Sequence, residues 1–300
     1  MQSFEYLSPT TLPEALSLLR THCDQAKILA GGTDLLVQMQ ADEVKPRYVI
    51  DLKRVRELQG LWNLPDRGLT IQPLTRIADL ASMDNIPGCF LVLREAARTI
   101  GSIQIRNRAT IGGNICRAAP SADMVPALMV LNSQIKIKGA DKERWVPLAD
   151  FFVGPGRTIL QLHELLAEIH VPIPPPGGIA VYLKLGPRQT MDLATVGVAV
   201  FLRLDSDGAL CQEVRIVLAS VAPKPIRAFE SEKMLIGNLL SPSLISQAAC
   251  SASLEANPIT DVYGPDWYKR QMVEVLTKRA ILEATKRIRG KDEIQNSTHY

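Results

Sequence analysis

Cysteine is scarce in this chain and never arranged for chemistry: the five, at positions 23, 89, 116, 211 and 250, include no CxxC pair. That argues against a cysteine-ligated cluster, and the odd count argues against a disulfide framework. The four histidines, His22, His163, His170 and His299, show no metal-ligand spacing. No stretch reaches the roughly 18 uninterrupted apolar residues of a membrane span, and the start, Met1-Gln2-Ser3-Phe4-Glu5, lacks the basic and then apolar run of a signal peptide. The expectation is a soluble cytoplasmic protein with no membrane span. Neither sign of charge dominates, because 34 basic and 31 acidic residues leave +3. Nothing in that balance points to nucleic acid or an acidic membrane as partner. Also missing are GxGxxG at Rossmann spacing and GxxxxGK[ST], which argues against dinucleotide sites of those common types. Any redox chemistry must come from a cofactor held in another way.

What is present is enough apolar material for a substantial core: 300 residues, 46% hydrophobic and 22% charged, a length that suits two compact units. Thr11-Leu12-Pro13-Glu14 is a helix-start signature, with hydroxyl and carboxylate three apart and proline tolerated in the first turn. Leu12, Leu16 and Leu19 then share one helical face. Residues 27–30 read as a strand that stops at Gly31-Gly32, 34–40 as a helix and 47–52 as the next strand, a small α/β unit with parallel pairing. From residue 68 the texture is α+β, with short strands at 69–71 and 134–137 around helical stretches near 90–98 and 121–131.

The run Ile173-Pro174-Pro175-Pro176-Gly177-Gly178 continues neither a helix nor a central strand, so it marks a domain boundary, a surface loop being the plainer alternative. Beyond it, 196–204 reads as an apolar strand, Asp205-Ser206-Asp207-Gly208 as a hairpin turn and 214–222 as the returning strand. Helices follow at 228–237 and 266–287, the second ending at Gly290. The C-terminal part is thus a small antiparallel sheet covered by helices.

Two segments place adjacent glycines beside a hydroxyl residue: Ala30-Gly31-Gly32-Thr33-Asp34 and Thr110-Ile111-Gly112-Gly113-Asn114. Each is suited to present bare backbone N–H groups to phosphate oxygens, with Thr and Asn side chains as added donors. The plainer reading of either is a turn that punctuates structure. Asp123 stands where a helix should begin, either as a first-turn carboxylate or as an acceptor for nucleotide hydroxyls.

Three ordered segments, AGGTDLL from residue 30, RNRATIGGNICRAAPSAD at 106–123 and LKLGPRQTMDLATVGVAV at 183–200, resemble the FAD-binding chains of molybdenum hydroxylases, a family that includes carbon monoxide dehydrogenase medium subunits and the flavin region of xanthine dehydrogenase. The resemblance spans nearly the whole chain. It implies an α+β protein with a two-part FAD-binding domain of the PCMH, vanillyl-alcohol oxidase-like, type over residues 1–176, itself divided into 1–56 and 57–176. A C-terminal α+β domain of the CO dehydrogenase flavoprotein type would occupy 177–290, and a tail 291–300. It implies FAD as cofactor, and as partners a small [2Fe-2S] subunit and a large molybdenum-cofactor subunit in a hetero-oligomer. The chain would be an oxidoreductase subunit that takes electrons from the partner's iron–sulfur centres and passes them to an external acceptor, with substrate hydroxylated elsewhere.

By the same resemblance Gly31, Gly32, Thr33 and Asp34 form a first flavin loop flanked by Ala30 and Leu35, and Thr110, Gly112, Gly113 and Asn114 form a second. Asp123 takes the nucleotide-contacting carboxylate position, Leu166 a backbone contact beside the flavin, Lys184 a basic position and Tyr182 a ring able to shield the flavin face. For Lys184 an ion pair, and for Tyr182 strand packing, are the competing readings. No catalytic side chain and no metal ligand is expected. Arg188 and Asp192 read as a charged pair between strands, and Gln72-Pro73 replaces a small-residue pair common among relatives. The competing functions are a 4-hydroxybenzoyl-CoA reductase-like flavin subunit, a flavin-free assembly subunit, and a stand-alone reductase of the UDP-N-acetylenolpyruvoylglucosamine reductase type.

Overall fold

Thr11 starts the first helix, Leu12–His22, as its sequence predicts: its hydroxyl accepts from the Glu14 amide, and Pro13 occupies the first turn. The Glu14 carboxylate closes the cap one residue earlier than expected, on the Thr10 amide at 2.8 Å. The computed structural model describes residues 2–64, 66–188 and 191–297. The chain divides into two units, one formed by Met1–Ser82, Gly101–Ala119 and Asn132–Pro172, the other by Met83–Ile100, Pro120–Leu131 and Ile173–Tyr300.

In the first unit, Tyr48–Asp51 is the middle strand of a three-stranded sheet, parallel to both Glu5–Leu7 and Ala26–Leu29. Parallel pairing requires a crossover between consecutive strands. The helix Leu12–His22 supplies one and buries Leu12, Leu16 and Leu19 in a cluster with Ile50, Leu52 and Val55. A five-stranded antiparallel sheet follows, in the order Leu61–Leu64, Gly68–Ile71, Leu165–Val171, Gln134–Lys138 and Glu143–Pro147. Its central strand, Leu165–Val171, carries a register shift between Leu166 and Glu168.

In the second unit, Ile179–Leu185, Val196–Leu204, Cys211–Ala219 and Ile226–Arg227 form an antiparallel sheet in that order. Val196–Leu204 reads VGVAVFLRL with no alternation because both faces are covered. Val196, Val198, Val200 and Leu202 join the cluster that holds Ile245, Ala248, Val273 and Ala280 from the C-terminal helices. The opposite face packs against the helices Leu91–Arg98 and Met124–Val130. Two sequence segments far from 173 thus fold with the C-terminal part.

The hairpin turn at 205–208 is present, with Gly208 at φ +67° and the Asp205 carboxylate accepting from the Ala209 and Leu210 amides. The returning strand runs Cys211–Ala219, ahead of the expected 214–222, because Ser220 turns into the left-handed region at φ +65° and ends it. Gly290 does not end the last helix. That helix runs Asp266–Ser297, and Gly290 is absent from the positions with positive φ that a glycine cap requires. The helix Pro242–Glu255, started by a Ser241 cap, was not expected, because its buried face is mostly Ala248, Ala249, Ala252 and Ser253 and carries little apolar signal.

Leu218 is fully buried in the sheet of the second unit. Leu218→Ala is expected to lower the stability of that unit by about 3 kcal/mol, read by urea denaturation, through lost transfer energy and the cavity left behind.

Candidate functional site

The two glycine segments read alike in sequence and fold differently. At the first, the strand Ala26–Leu29 ends and the chain turns through Gly32 at φ +79° before the helix Leu35–Gln40. Gly31 packs backbone on backbone: a Cβ there would lie 2.1 Å from the Arg108 carbonyl oxygen and 2.9 Å from Ala109 Cα. No L side chain fits. Among the described residues nothing accepts a hydrogen bond from the amides of Gly31, Gly32, Thr33, Asp34 or Leu35. Asp34 caps nothing with its side chain and instead pairs with Arg117 at 3.5 Å.

The second segment is a helix, Ile111–Cys116, not a loop, and its amides are already spent. Ile111 N donates to the Thr75 carbonyl, Gly112 N to the Pro73 carbonyl at 2.8 Å, Gly113 N to the Thr110 hydroxyl and Asn114 N to the Thr110 carbonyl. This corrects the expectation that Gly112 and Gly113 offer bare N–H groups. Gly112 is glycine for packing, since its Cβ would stand 2.5 Å from Pro73 Cβ. Two side-chain groups are left to this segment. The Thr110 hydroxyl retains its proton for donation, and Asn114 Oδ1 is buried with no hydrogen-bond partner among the described residues.

Gln72-Pro73, the departure from the family pattern, now has a physical role. The buried Gln72 amide, oriented with its nitrogen toward the main chain, donates to the Glu57 and Ala167 carbonyls at 3.1 and 2.7 Å, and Pro73 receives the Gly112 amide. Ala167 falls in the register shift beside Leu166, whose side chain is buried. A bulge leaves backbone groups outside the ladder, and the Ala167 carbonyl that Gln72 takes is one of them.

Within the first unit a cleft of about 590 Å³ reaches from Ala30 to Thr110 and is bordered by Lys53, Arg76 and Arg108. Lys53 is held by Asp51 at 2.8 Å and Arg76 by Asp79 at 2.8 Å. Among the described residues Arg108 has no carboxylate partner. None of these three cations was singled out in the sequence, although Arg108 lies in the segment at 106–123.

Asp123, Tyr182 and Lys184 meet in the second unit. The Tyr182 hydroxyl donates to Asp123 Oδ1 at 2.7 Å, and Lys184 Nζ donates to Asp123 Oδ2 at 2.9 Å and to the Thr99 carbonyl at 3.1 Å. Burial pushes the Asp123 carboxyl above its ordinary value, against the pull of Lys184 and Tyr182, and burial with the Asp123 charge raises the Tyr182 phenol well above its own. The Tyr182 ring is 5% exposed, the strand packing that competes with a shielding role. The ion-pair reading of Lys184 is the arrangement seen, with side chains 12% and 6% exposed for Lys184 and Asp123. Lys184 also satisfies a carbonyl at the end of the helix Leu91–Arg98, where a cation is favoured. Arg188 and Asp192 pair at 3.1 Å, four residues apart in sequence and outside the flanking strands Ile179–Leu185 and Val196–Leu204, not between strands, and residues 189 and 190 lie outside the described residues. Desolvation pushes the Cys116 thiol up to about 12, so it is a packed thiol and no nucleophile. Among the described residues no group of three or more His, Cys, Asp or Glu side chains is placed to hold a metal ion.

Residues 2–174 match the family model described as FAD binding domain in molybdopterin dehydrogenase, and residues 181–284 the CO dehydrogenase flavoprotein C-terminal domain. The chain is 36% identical over 280 residues to the glyceraldehyde dehydrogenase medium chain of Sulfolobus acidocaldarius, with 93% of this chain and 98% of the relative covered. It is 32% identical over 288 residues to the xanthine dehydrogenase FAD-binding subunit of Escherichia coli O157:H7, covering 95% and 97%. Among solved structures, a carbon monoxide dehydrogenase chain from Hydrogenophaga pseudoflava superposes with a TM-score of 0.91 at 33% identity, covering 96% of this chain and 98% of that one. No helix among the described residues is long and apolar enough to cross a membrane.

Lys184→Met strands a buried carboxylate and is expected to cost about 3 kcal/mol, whereas the double variant Lys184→Met/Asp123→Asn should recover part of that loss. Chemical denaturation of the three proteins measures it, and additive losses would show that the pair is not coupled. For thiol chemistry, the exposed Cys250 should react with iodoacetamide at pH 8 while Cys116 stays unmodified in the native protein, read by peptide mass spectrometry.

Proposed function

Because the chain belongs to the family of FAD-binding medium subunits of molybdenum hydroxylase-type dehydrogenases, we propose that it is the electron-exit subunit of such a complex and that residues 30–35 carry the FAD pyrophosphate. The observation that supports this assignment is the run of unclaimed amides from Gly31 to Leu35 beside the positive-φ turn at Gly32. Successive N–H groups in such a turn form a concave donor set that suits an anionic pyrophosphate. Thr110 adds a hydroxyl donor, and the unpartnered Asn114 side chain can turn its amide nitrogen toward the ligand. The unpaired Arg108 guanidinium supplies the positive charge that neutral backbone donors lack.

When bound, FAD supplies a centre that exchanges electrons singly or in pairs. This chain's own residues position it. Gly31, pressed on the Arg108 carbonyl, fixes the distance between the amide turn and the segment that ends in Thr110. The contact of Gly112 with Pro73 fixes the other side of that segment, and the Gln72 bonds anchor Pro73 to the central strand through Ala167. The same proposal assigns as partners a small [2Fe-2S] subunit, which delivers electrons, and a large molybdenum-cofactor subunit, where substrate is hydroxylated. Relatives bearing the names medium chain and FAD-binding subunit support that reading. A cytoplasmic setting goes with it, supported by the scarcity of cysteine, with no CxxC pair and an odd count of five.

Reconstitution of the purified chain with FAD tests the loop assignment. Gly31→Val should abolish flavin binding with the circular dichroism of the helices retained, because the side chain collides with main chain. Gly113→Ala should keep it, since its Cβ would meet only the Thr110 hydroxyl, at 3.1 Å. Arg108→Ala should weaken FAD roughly tenfold, the value of one charge-assisted hydrogen bond. Stoichiometric FAD in Gly31→Val would place the pyrophosphate elsewhere.

A further inference from the structure

The strand Cys211–Ala219 carries a guanidinium that the fold buries and leaves half satisfied. Arg215 is 5% exposed, and its central carbon lies 4.0 Å from the centroid of the Phe201 ring beneath it. Nη1 stands 3.3 Å from Glu213, but Nε and Nη2 are buried with no hydrogen-bond partner among the described residues. Those two atoms form the side edge of the guanidinium, the edge that grips a carboxylate or phosphate with two parallel bonds. The chain uses that edge elsewhere. Arg227 holds Glu232 through Nε at 2.7 Å and Nη2 at 2.5 Å, and Arg76 holds Asp79 through the same two atoms. In Arg215 the edge is buried and idle.

The surroundings are short of one anion. Arg203 and Arg215 share Glu213, at 3.7 and 3.3 Å, and Arg203 Nε is also buried without a hydrogen-bond partner. Glu232 is already taken by Arg227 and by the Ile216 amide at 2.7 Å. Among the described residues three guanidinium groups therefore share two carboxylates, with Arg203 Nη1 also donating to Gln212 Oε1. Register sets Phe201 opposite Arg215 and Arg203 opposite Glu213 on adjacent strands, so the arginines lie on one face of the sheet. A buried cation left part-paired is destabilising until an anion or ordered water completes it. Burial already holds the Arg215 guanidinium below its ordinary value.

We propose that this face of the second unit is an oxyanion site: a small anion of the carboxylate or phosphate class docks two-pronged on the Nε–Nη2 edge of Arg215, with Arg203 Nε as a third donor. Phe201 holds the guanidinium plane in place for it. The Arg203 and Glu213 side chains beside it are 31% and 29% exposed. The proposal does not depend on where FAD binds.

The test uses the full chain loaded with FAD, so that the amides at 31–35 do not compete. Inorganic phosphate is titrated against sodium chloride of equal ionic strength while the unfolding midpoint is followed. The expected result is a saturable rise, about 3 °C at roughly ten times Kd, that is lost in Arg215→Met and shifted to several-fold higher phosphate in Arg203→Gln. A parent protein that responds no more to phosphate than to chloride overturns the proposal. So does a response unchanged in both variants. Should Arg215→Met not fold, Arg203→Gln decides alone: weakened phosphate affinity supports the site, and unchanged affinity overturns it.

Discussion

A Cβ on Gly31 would have to share space with the Arg108 carbonyl oxygen, at 2.1 Å, and that single exclusion organises the glycine turn of the first unit. Two main-chain segments that lie almost eighty residues apart in sequence can touch only because one of them has no side chain. Their contact sets the position of the turn through Gly32, and the turn in turn aims five amides where no acceptor among the described residues reaches them. Unclaimed backbone donors are costly if they stay dry, so such a run persists where water or an anionic ligand completes it. The close approach of Gly112 to Pro73 works on the other side of the same segment, and there it consumes an amide instead of freeing one.

Much of the architecture was legible in local pattern. The parallel first sheet, the helix cap at Thr11 and the strand at 196–204 all follow from apolar spacing and turn chemistry, and all are seen. The strand Leu165–Val171 is less plain in the sequence because only Ala167 to Val171 alternates, as its burial does, while Leu165-Leu166 breaks the pattern next to the register shift. Gly290 misled because a glycine near a helix end reads as a stop, while only a left-handed φ makes it one.

The two glycine segments show where sequence runs out. Both read as adjacent glycines beside a threonine, and in both the pattern suits a set of backbone donors. What separates them is tertiary. Thr110 turns its hydroxyl onto the Gly113 amide and so starts a helix, whereas Asp34 leaves the preceding turn uncapped and reaches across to Arg117. A capping residue is recognisable in sequence only as a capacity, since Thr and Asp serve equally as caps and as ligands. The cations bordering the cleft were hidden for a similar reason: Lys53, Arg76 and Arg108 are scattered in the chain and converge only in the fold.

Charge burial follows one rule in the second unit, and its exceptions carry information. Asp123 is tolerable at 6% exposure because Lys184 and Tyr182 each take one of its oxygens, and Lys184 is tolerable because the Thr99 carbonyl takes another of its protons. Glu232 is tolerable because a full guanidinium edge and an amide close around it. Removing one member of such a set strands the others, so each set resists piecemeal change. Arg215 sits in the same sheet, likewise desolvated, with three of its five N–H donors unpartnered among the described residues. Its neighbours show that this fold completes a buried ion when a carboxylate is in reach, and among the described residues none closes on that edge of Arg215, the place the proposed oxyanion would fill.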